Sequence, residues 1–165
     1  MNFRLHLKTK LQTHAGANRN FSRYTKDQCL KCPSYDVEEE TFHHVICCNE
    51  EGRVKTLLGT IQMLDDWMKR VGTHNTLGRC LAKNARKRGN ETMSQIAWGE
   101  SSKFRRLAKS MDQIGWRRYM EGMISKEILE IQAEFTAVGT GSMTTVNWAK
   151  GLTIKLLEIT HGQWL

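Results

Sequence analysis

Residues 54–71 of this chain, VKTLLGTIQMLDDWMKRV, decide its fold class. Apolar side chains recur there at spacings of three and four residues, which is the period of one face of an α-helix. The 165-residue chain contains one proline, Pro33, so little interrupts helices elsewhere. We therefore predict a mainly α protein that forms an irregular helical bundle.

Comparable patterns continue downstream of this first long helix, which Gly72 is expected to end. Thr73, Asn75 or Thr76 could supply the N-terminal cap of the next helix. The stretch AVGTGSM lacks the Gly-Lys-Ser/Thr ending of a phosphate loop and is predicted to be a connector. The later helices are predicted around residues 77–88, 101–119, 125–135 and 148–159.

Charge is distributed unevenly along the chain, whose net charge is +8. Residues 1–26 contain six Lys and Arg and no acid, whereas residues 27–52 contain seven acids and only Lys31 as a base. Residues 53–126 then contain sixteen Lys and Arg against six Asp and Glu. A basic excess of this kind attracts polyanions, nucleic acid above all, although a merely solvated surface would have a similar composition.

These shifts divide the chain into three predicted parts. They are a basic lead-in segment (1–26), a zinc-binding loop (27–52) and a helical region (53–165) that we expect to be truncated, because its last residues are apolar and uncapped. The zinc assignment of the middle part depends on its cysteines and histidines.

The middle part contains four of the five cysteines. Cys29 and Cys32 have the two-residue spacing of half a zinc site, and two pairs can complete the four ligands. His44 and Cys48 would share a helix face if a helix begins near Thr41, and the preceding pair, His43 and Cys47, has the same spacing. An odd cysteine count and the lack of a βαβ pattern argue against disulfides and a redox motif, so we expect structural Zn²⁺. Cys80, on an apolar helix face, is expected to be a core residue.

The pattern C-x2-C…E-T-x2-H-x3-C resembles the zinc-binding region downstream of the polymerase in non-LTR retrotransposon reverse transcriptases. The resemblance implies the ligand set Cys29, Cys32, His44 and Cys48, and a larger reverse transcriptase polypeptide as the origin or partner of this chain. The basic lead-in and the helical stretches downstream are also similar to that family. The matching residues are Cys29, Cys32, Glu40, Thr41, His44 and Cys48.

Two departures from the family are relevant to function. Leu30 follows the first cysteine where family members often have Pro, and Pro33 follows the second. The chain also lacks a Tyr/Phe-x-Asp-Asp polymerase phrase and any spaced set of carboxylates suited to two catalytic metals. We therefore expect no catalytic residue and no enzymatic activity in this chain.

The expected function is non-catalytic binding of RNA or DNA. Tyr24, Phe42 and Trp98 are candidates for stacking on bases, although each could equally be a core residue. The alternatives are a zinc-stabilised protein-interaction or scaffold domain, suggested by apolar helix faces with Trp148 and Trp164, and a non-functional fragment of a decayed element. The expected phosphate-contact residues are Lys83, Arg86, Lys87, Arg88, Arg105, Arg106, Arg117 and Arg118.

The chain is expected to be intracellular, in the nucleus or cytoplasm. Its start has no apolar secretory core, and no apolar run approaches the roughly 20 residues that span a bilayer. The acid-free, Arg-containing start would also suit a mitochondrial presequence, but the cysteine-rich part follows too soon for a cleaved leader to end cleanly.

Overall fold

The computed structural model describes residues 42–139 and 142–163. Helices account for three quarters of these residues, and no strand occurs among them, so the mainly α prediction is confirmed. Tyr24, Cys29 and Cys32 lie outside the described residues, as does the lead-in segment. The helices are α1 Phe42–Cys47, α2 Glu51–Arg70, α3 Asn75–Lys87, α4 Met93–Ile96, α5 Ser102–Ile114, α6 Trp116–Met120, α7 Lys126–Ala137 and α8 Thr145–His161.

The chain divides into two compact units. The first includes the described residues 42–57 and 161–163, and the second extends over residues 58–160. The second unit has a core built from one face of each long helix, because those faces repeat apolar residues at the helical period. Its largest fully buried side chains are Ile61, Leu64, Met68, Leu77, Leu81, Met93, Leu107, Tyr119, Met120 and Trp148.

The predicted apolar stripe of α2 is mostly correct. Ile61, Leu64 and Met68 are fully buried, but Leu58 is 47% exposed. Leu58 directly follows the buried Leu57, and successive helical residues are rotated by about 100°, so the two side chains point to different faces.

Gly72 ends α2 as predicted, with a φ of 71° that suits glycine. The Gly72 N–H donates to the Lys69 carbonyl at 3.2 Å and the Thr73 N–H to the Met68 carbonyl at 2.9 Å, which is the hydrogen-bond pattern of a Schellman motif. The buried side chain of Gln132 on α7 then bridges the turn. Its Oε1 accepts from the His74 N–H at 3.1 Å, and its Nε2 donates to the Gly72 carbonyl at 3.0 Å.

The predicted caps of α3 are wrong, because His74 caps this helix. Its Nδ1 accepts from the Leu77 N–H at 3.4 Å, and its ring contacts Phe104 and Phe135. Thr73 has another role, since its Oγ1 accepts a hydrogen bond of 2.8 Å from the buried indole N–H of Trp148.

The predicted helix over residues 101–119 is divided in two. Gly115 has φ 79° and ψ 153°, a backbone conformation that only glycine adopts readily, and it separates α5 from α6. Beyond it, Trp116 donates its indole N–H to the Asn84 carbonyl at 2.9 Å, which joins α6 to α3.

The sequence patterns did not predict the short helix α4. A capping box forms between Thr92 and Gln95, and the carboxylate of Asp112 on α5 accepts from the N–H groups of Met93 and Ser94 at 2.6 and 3.2 Å. This helix and its connections place Trp98 in the short segment before α5.

Candidate nucleic-acid interface and metal ligands

The described half of the predicted metal site lies at α1. This helix begins at Phe42, and Cys48 directly follows its last residue, so His44 and Cys48 are separated by about one helical turn. Cys48 is buried, with 4% of its surface exposed, whereas Cys47 is half-buried, and neither forms a disulfide. An imidazole and a thiol with this spacing are donor types that suit zinc.

The predicted ligand set extends beyond the described residues, because Cys29 and Cys32 lie outside them. The side chain of His43, from the alternative pair, also lies outside them. Within the part of the chain that the structure describes, no three His, Cys, Asp or Glu side chains form a group that could hold a metal ion. Of the four predicted ligands, His44 and Cys48 lie in that part of the chain. Cys80 is buried as predicted, and burial raises the pKa of its thiol.

The eight predicted phosphate-contact residues all belong to the second unit. Most are exposed, as a phosphate contact requires, whereas Lys87 and Arg88 are half-buried. Lys83, Arg86, Lys87 and Arg88 lie in or directly after α3, Arg105 and Arg106 lie in α5, and Arg117 and Arg118 lie in α6.

Half of these cations form surface ion pairs with carboxylates. Such pairs contribute only about 0–1 kcal/mol when exposed, so a phosphate can compete for the cation. Arg86, Arg105 and Arg118 have no carboxylate partner among the described residues. The pairs are Lys83 and Lys87 with Glu91, Arg106 with Glu130, and Arg117 with Glu121.

A groove between the second half of α2 and the length of α3 gathers four cations. We call it the α2–α3 groove. Arg79, Lys83 and Arg86 follow each other at spacings of four and three residues, which places them on one side of α3. Lys69 comes from α2. The lining residues are Asp65, Met68, Lys69, Thr73, Asn75, Thr76, Gly78, Arg79, Ala82, Lys83 and Arg86.

The lining of the groove has an excess of positive charge, with four cations and one carboxylate, although Glu100 and Glu91 pair with Arg79 and Lys83 from outside the lining. Asp65 is the one carboxylate among the lining residues, and its hydrogen bond to Lys69, 2.9 Å long, raises the pKa of that ammonium group. The positive charge of Arg86 acts in the opposite direction on the same pKa, so these two cations lie close enough to interact. Arg86 is exposed and is the cation of the groove without a described carboxylate partner.

Trp98 lies in the segment between α4 and α5, two residues before the partner of Arg79. Its side chain is 88% exposed. Two residues later, the Glu100 carboxylate pairs with Arg79 at 2.5 Å, and the Glu100 carbonyl accepts from Nη1 of Arg105 at 3.4 Å. Two arginines therefore converge on the segment that holds this exposed indole.

Lys69 and Arg79 line the groove but were not among the phosphate-contact residues predicted from the sequence. The spacing of Arg79, Lys83 and Arg86 along one helix was visible in the sequence and could have identified Arg79. Lys69 could not be found in that way, because it joins the groove only through the path of the chain at residues 71–74, which the apolar period of the helices does not specify.

No protein-family model, no curated protein and no solved structure matches this chain. None of the helices described is long and apolar enough to cross a membrane. The resemblance to the reverse-transcriptase zinc region therefore stays a prediction from the cysteine and histidine spacing.

Proposed function

We propose that this chain is a non-catalytic, zinc-stabilised nucleic-acid-binding module derived from a retroelement reverse transcriptase. The observation that supports this proposal best is the α2–α3 groove, whose lining combines Lys69 of α2 with Arg79, Lys83 and Arg86 of α3. A cleft with an excess of one sign of charge concentrates a polyanion more strongly than the same charges dispersed over a surface.

The binding would be directed at the phosphate backbone of RNA or DNA. Lysine and arginine side chains supply the counterion-releasing contacts that dominate non-specific affinity. The ion pair of Lys83 with Glu91 spans 3.8 Å at the surface, so exchanging it for a phosphate contact costs little. Arg105, Arg106, Arg117 and Arg118 would extend the contact surface beyond the groove.

The test compares two double variants that remove the same charge. Lys83→Gln with Arg86→Gln alters the groove, whereas Lys126→Gln with Lys150→Gln removes two exposed cations from α7 and α8. We expect the groove variant to lose at least tenfold in affinity for a labelled 20-nucleotide strand at low salt, and the control to bind like the parent. Equal binding by both variants would remove the groove from the proposal.

Zinc would be held by Cys29, Cys32, His44 and Cys48 and would cross-link the segment before α1 to the end of that helix. The burial of Cys48 beside the half-buried Cys47 supports this choice of thiol, because the ligands of a closed structural site are shielded from water. When bound, the metal supplies a fixed cross-link and leaves no open position for catalysis.

Native mass spectrometry of chain expressed with zinc supplementation tests the ligand set. We expect one zinc ion in the parent and in Cys47→Ser, and none in Cys48→Ser. Loss of zinc in Cys47→Ser alone would assign the site to the His43 and Cys47 pair. A folded parent without zinc would refute the metal part of the proposal.

The second candidate is a zinc-stabilised scaffold domain. Trp148, one of the residues that suggested it, is fully buried and cannot take part in such an interface. The exposed Leu58 and Met63 on α2 favour it instead, because both side chains are apolar and face solvent. Binding of a partner protein through apolar side chains would change little with salt, which separates it from phosphate binding.

A further inference from the structure

The side chain of Trp98 is too exposed to contribute to the core. At 88% exposure it is more open to solvent than the other exposed large apolar residues of the described chain, including Val138 at 74%. With so little of its surface covered by the protein, the indole is accessible to a flat ligand.

The charges next to Trp98 suit an anionic ligand. The Glu100 carboxylate is paired with Arg79, so it does not present a free negative charge beside the indole. Arg105 bonds the backbone carbonyl of Glu100 rather than a carboxylate, which leaves its positive charge unbalanced among the described residues. An exposed aromatic ring with adjacent arginines is the combination with which proteins bind single-stranded nucleic acid.

We propose that Trp98 is a base-stacking platform that makes this chain prefer single-stranded over duplex nucleic acid. The inference rests on the proposed function, because the α2–α3 groove must first hold the phosphate backbone. Arg79 lines the groove and also pairs with Glu100, so a strand in the groove can reach the indole at that end. A base in a single strand offers a free face for stacking, whereas both faces of a base inside a duplex are covered.

The experiment uses the full chain and four proteins: the parent, Trp98→Ala, Trp98→Phe and the control Met63→Ala, which removes another exposed apolar side chain. Each is titrated into a labelled 20-nucleotide strand and into its duplex at low salt. Loss of one stacked base weakens binding by about 5- to 150-fold. We expect that loss for Trp98→Ala on the single strand alone, near-parental binding by Trp98→Phe, and no change for Met63→Ala.

Three outcomes would overturn the inference. Parental binding of the single strand by Trp98→Ala would exclude stacking, and equal losses on single strand and duplex would show that the residue does not discriminate between them. A parent that binds neither would overturn the proposed function as well. The groove variant Lys83→Gln with Arg86→Gln separates these failures, because it should weaken binding of both nucleic acids when the function is correct and only the role of Trp98 is wrong.

Discussion

Gly59 and Gly115 should respond to alanine substitution in opposite directions. Gly59 lies inside α2, where an added Cβ meets nothing within 4 Å, so Gly59→Ala should raise the free energy of unfolding by about 0.5–1 kcal/mol through helix propensity. Gly115 has the same free space but a φ of 79°, and alanine there should cost about 1–3 kcal/mol. Urea unfolding of both variants measures the two changes. A stabilised Gly115→Ala would contradict the assigned backbone conformation.

Residue-level predictions from the sequence succeeded where the helical period decides the outcome. Cys80 lies on an apolar helix face and is buried as expected. The cap of α3 could not be predicted in that way, because three candidate side chains lie within two residues of His74. Which residue caps the helix depends on tertiary contacts. Trp148 donates a hydrogen bond to Thr73, and Phe104 and Phe135 pack against the ring of His74.

At the level of elements, Gln132 joins three helices through one amide. It satisfies the Gly72 carbonyl at the end of α2 and the His74 N–H before α3. Gln132→Leu would leave both part-buried groups without this partner, and an unsatisfied group costs about 1–3 kcal/mol where water cannot replace the partner. We therefore expect a total loss of about 1–3 kcal/mol in urea unfolding, and almost none for Gln113→Leu on the exposed side of α5. Similar stabilities of the two variants would contradict this role.

The buried Glu127, in the first turn of α7, should make stability depend on pH. Burial by itself raises its pKa, but hydrogen bonds from its own backbone N–H and from Ser110 outweigh burial, and the pKa lies below its ordinary value of 4.5. The carboxylate therefore stabilises the fold above pH 4.5, and this contribution is lost as pH falls through the folded-state pKa. In chemical unfolding, the free energy of unfolding of Glu127→Gln should be lower than that of the parent. The difference should be largest near pH 7 and should shrink toward pH 3. A deficit that stays constant would contradict the lowered pKa.

The sequence predicted the long helices better than the short ones. α2 and α8 have enough apolar residues at helical spacing to be identified, and Gly72 marked the end of α2 correctly. α4 has only four residues, too few for a period, although the Thr92 and Gln95 spacing of its capping box was visible. The break at Gly115 was missed because the apolar pattern continues on both sides of it.

At the level of the whole molecule, the charge pattern predicted a basic surface but not its shape. The second unit contains sixteen Lys and Arg and ten Asp and Glu. Several predicted contact residues, such as Lys87 and Arg117, are paired with acids nearby in the chain, whereas the groove combines α3 with Lys69 of α2. A groove that combines cations from two helices depends on the turn between them. It cannot be predicted from the charge pattern of each helix alone.

The measurement that tests the central claim most directly is the salt dependence of single-strand binding. Each phosphate contact contributes about −0.7 to the slope of log affinity against log salt concentration. The parent and the Lys126→Gln, Lys150→Gln control should share a steep slope, and Lys83→Gln with Arg86→Gln should be shallower by about 1.4 units. A parental slope near zero, or equal slopes for all three proteins, would contradict phosphate binding in the α2–α3 groove.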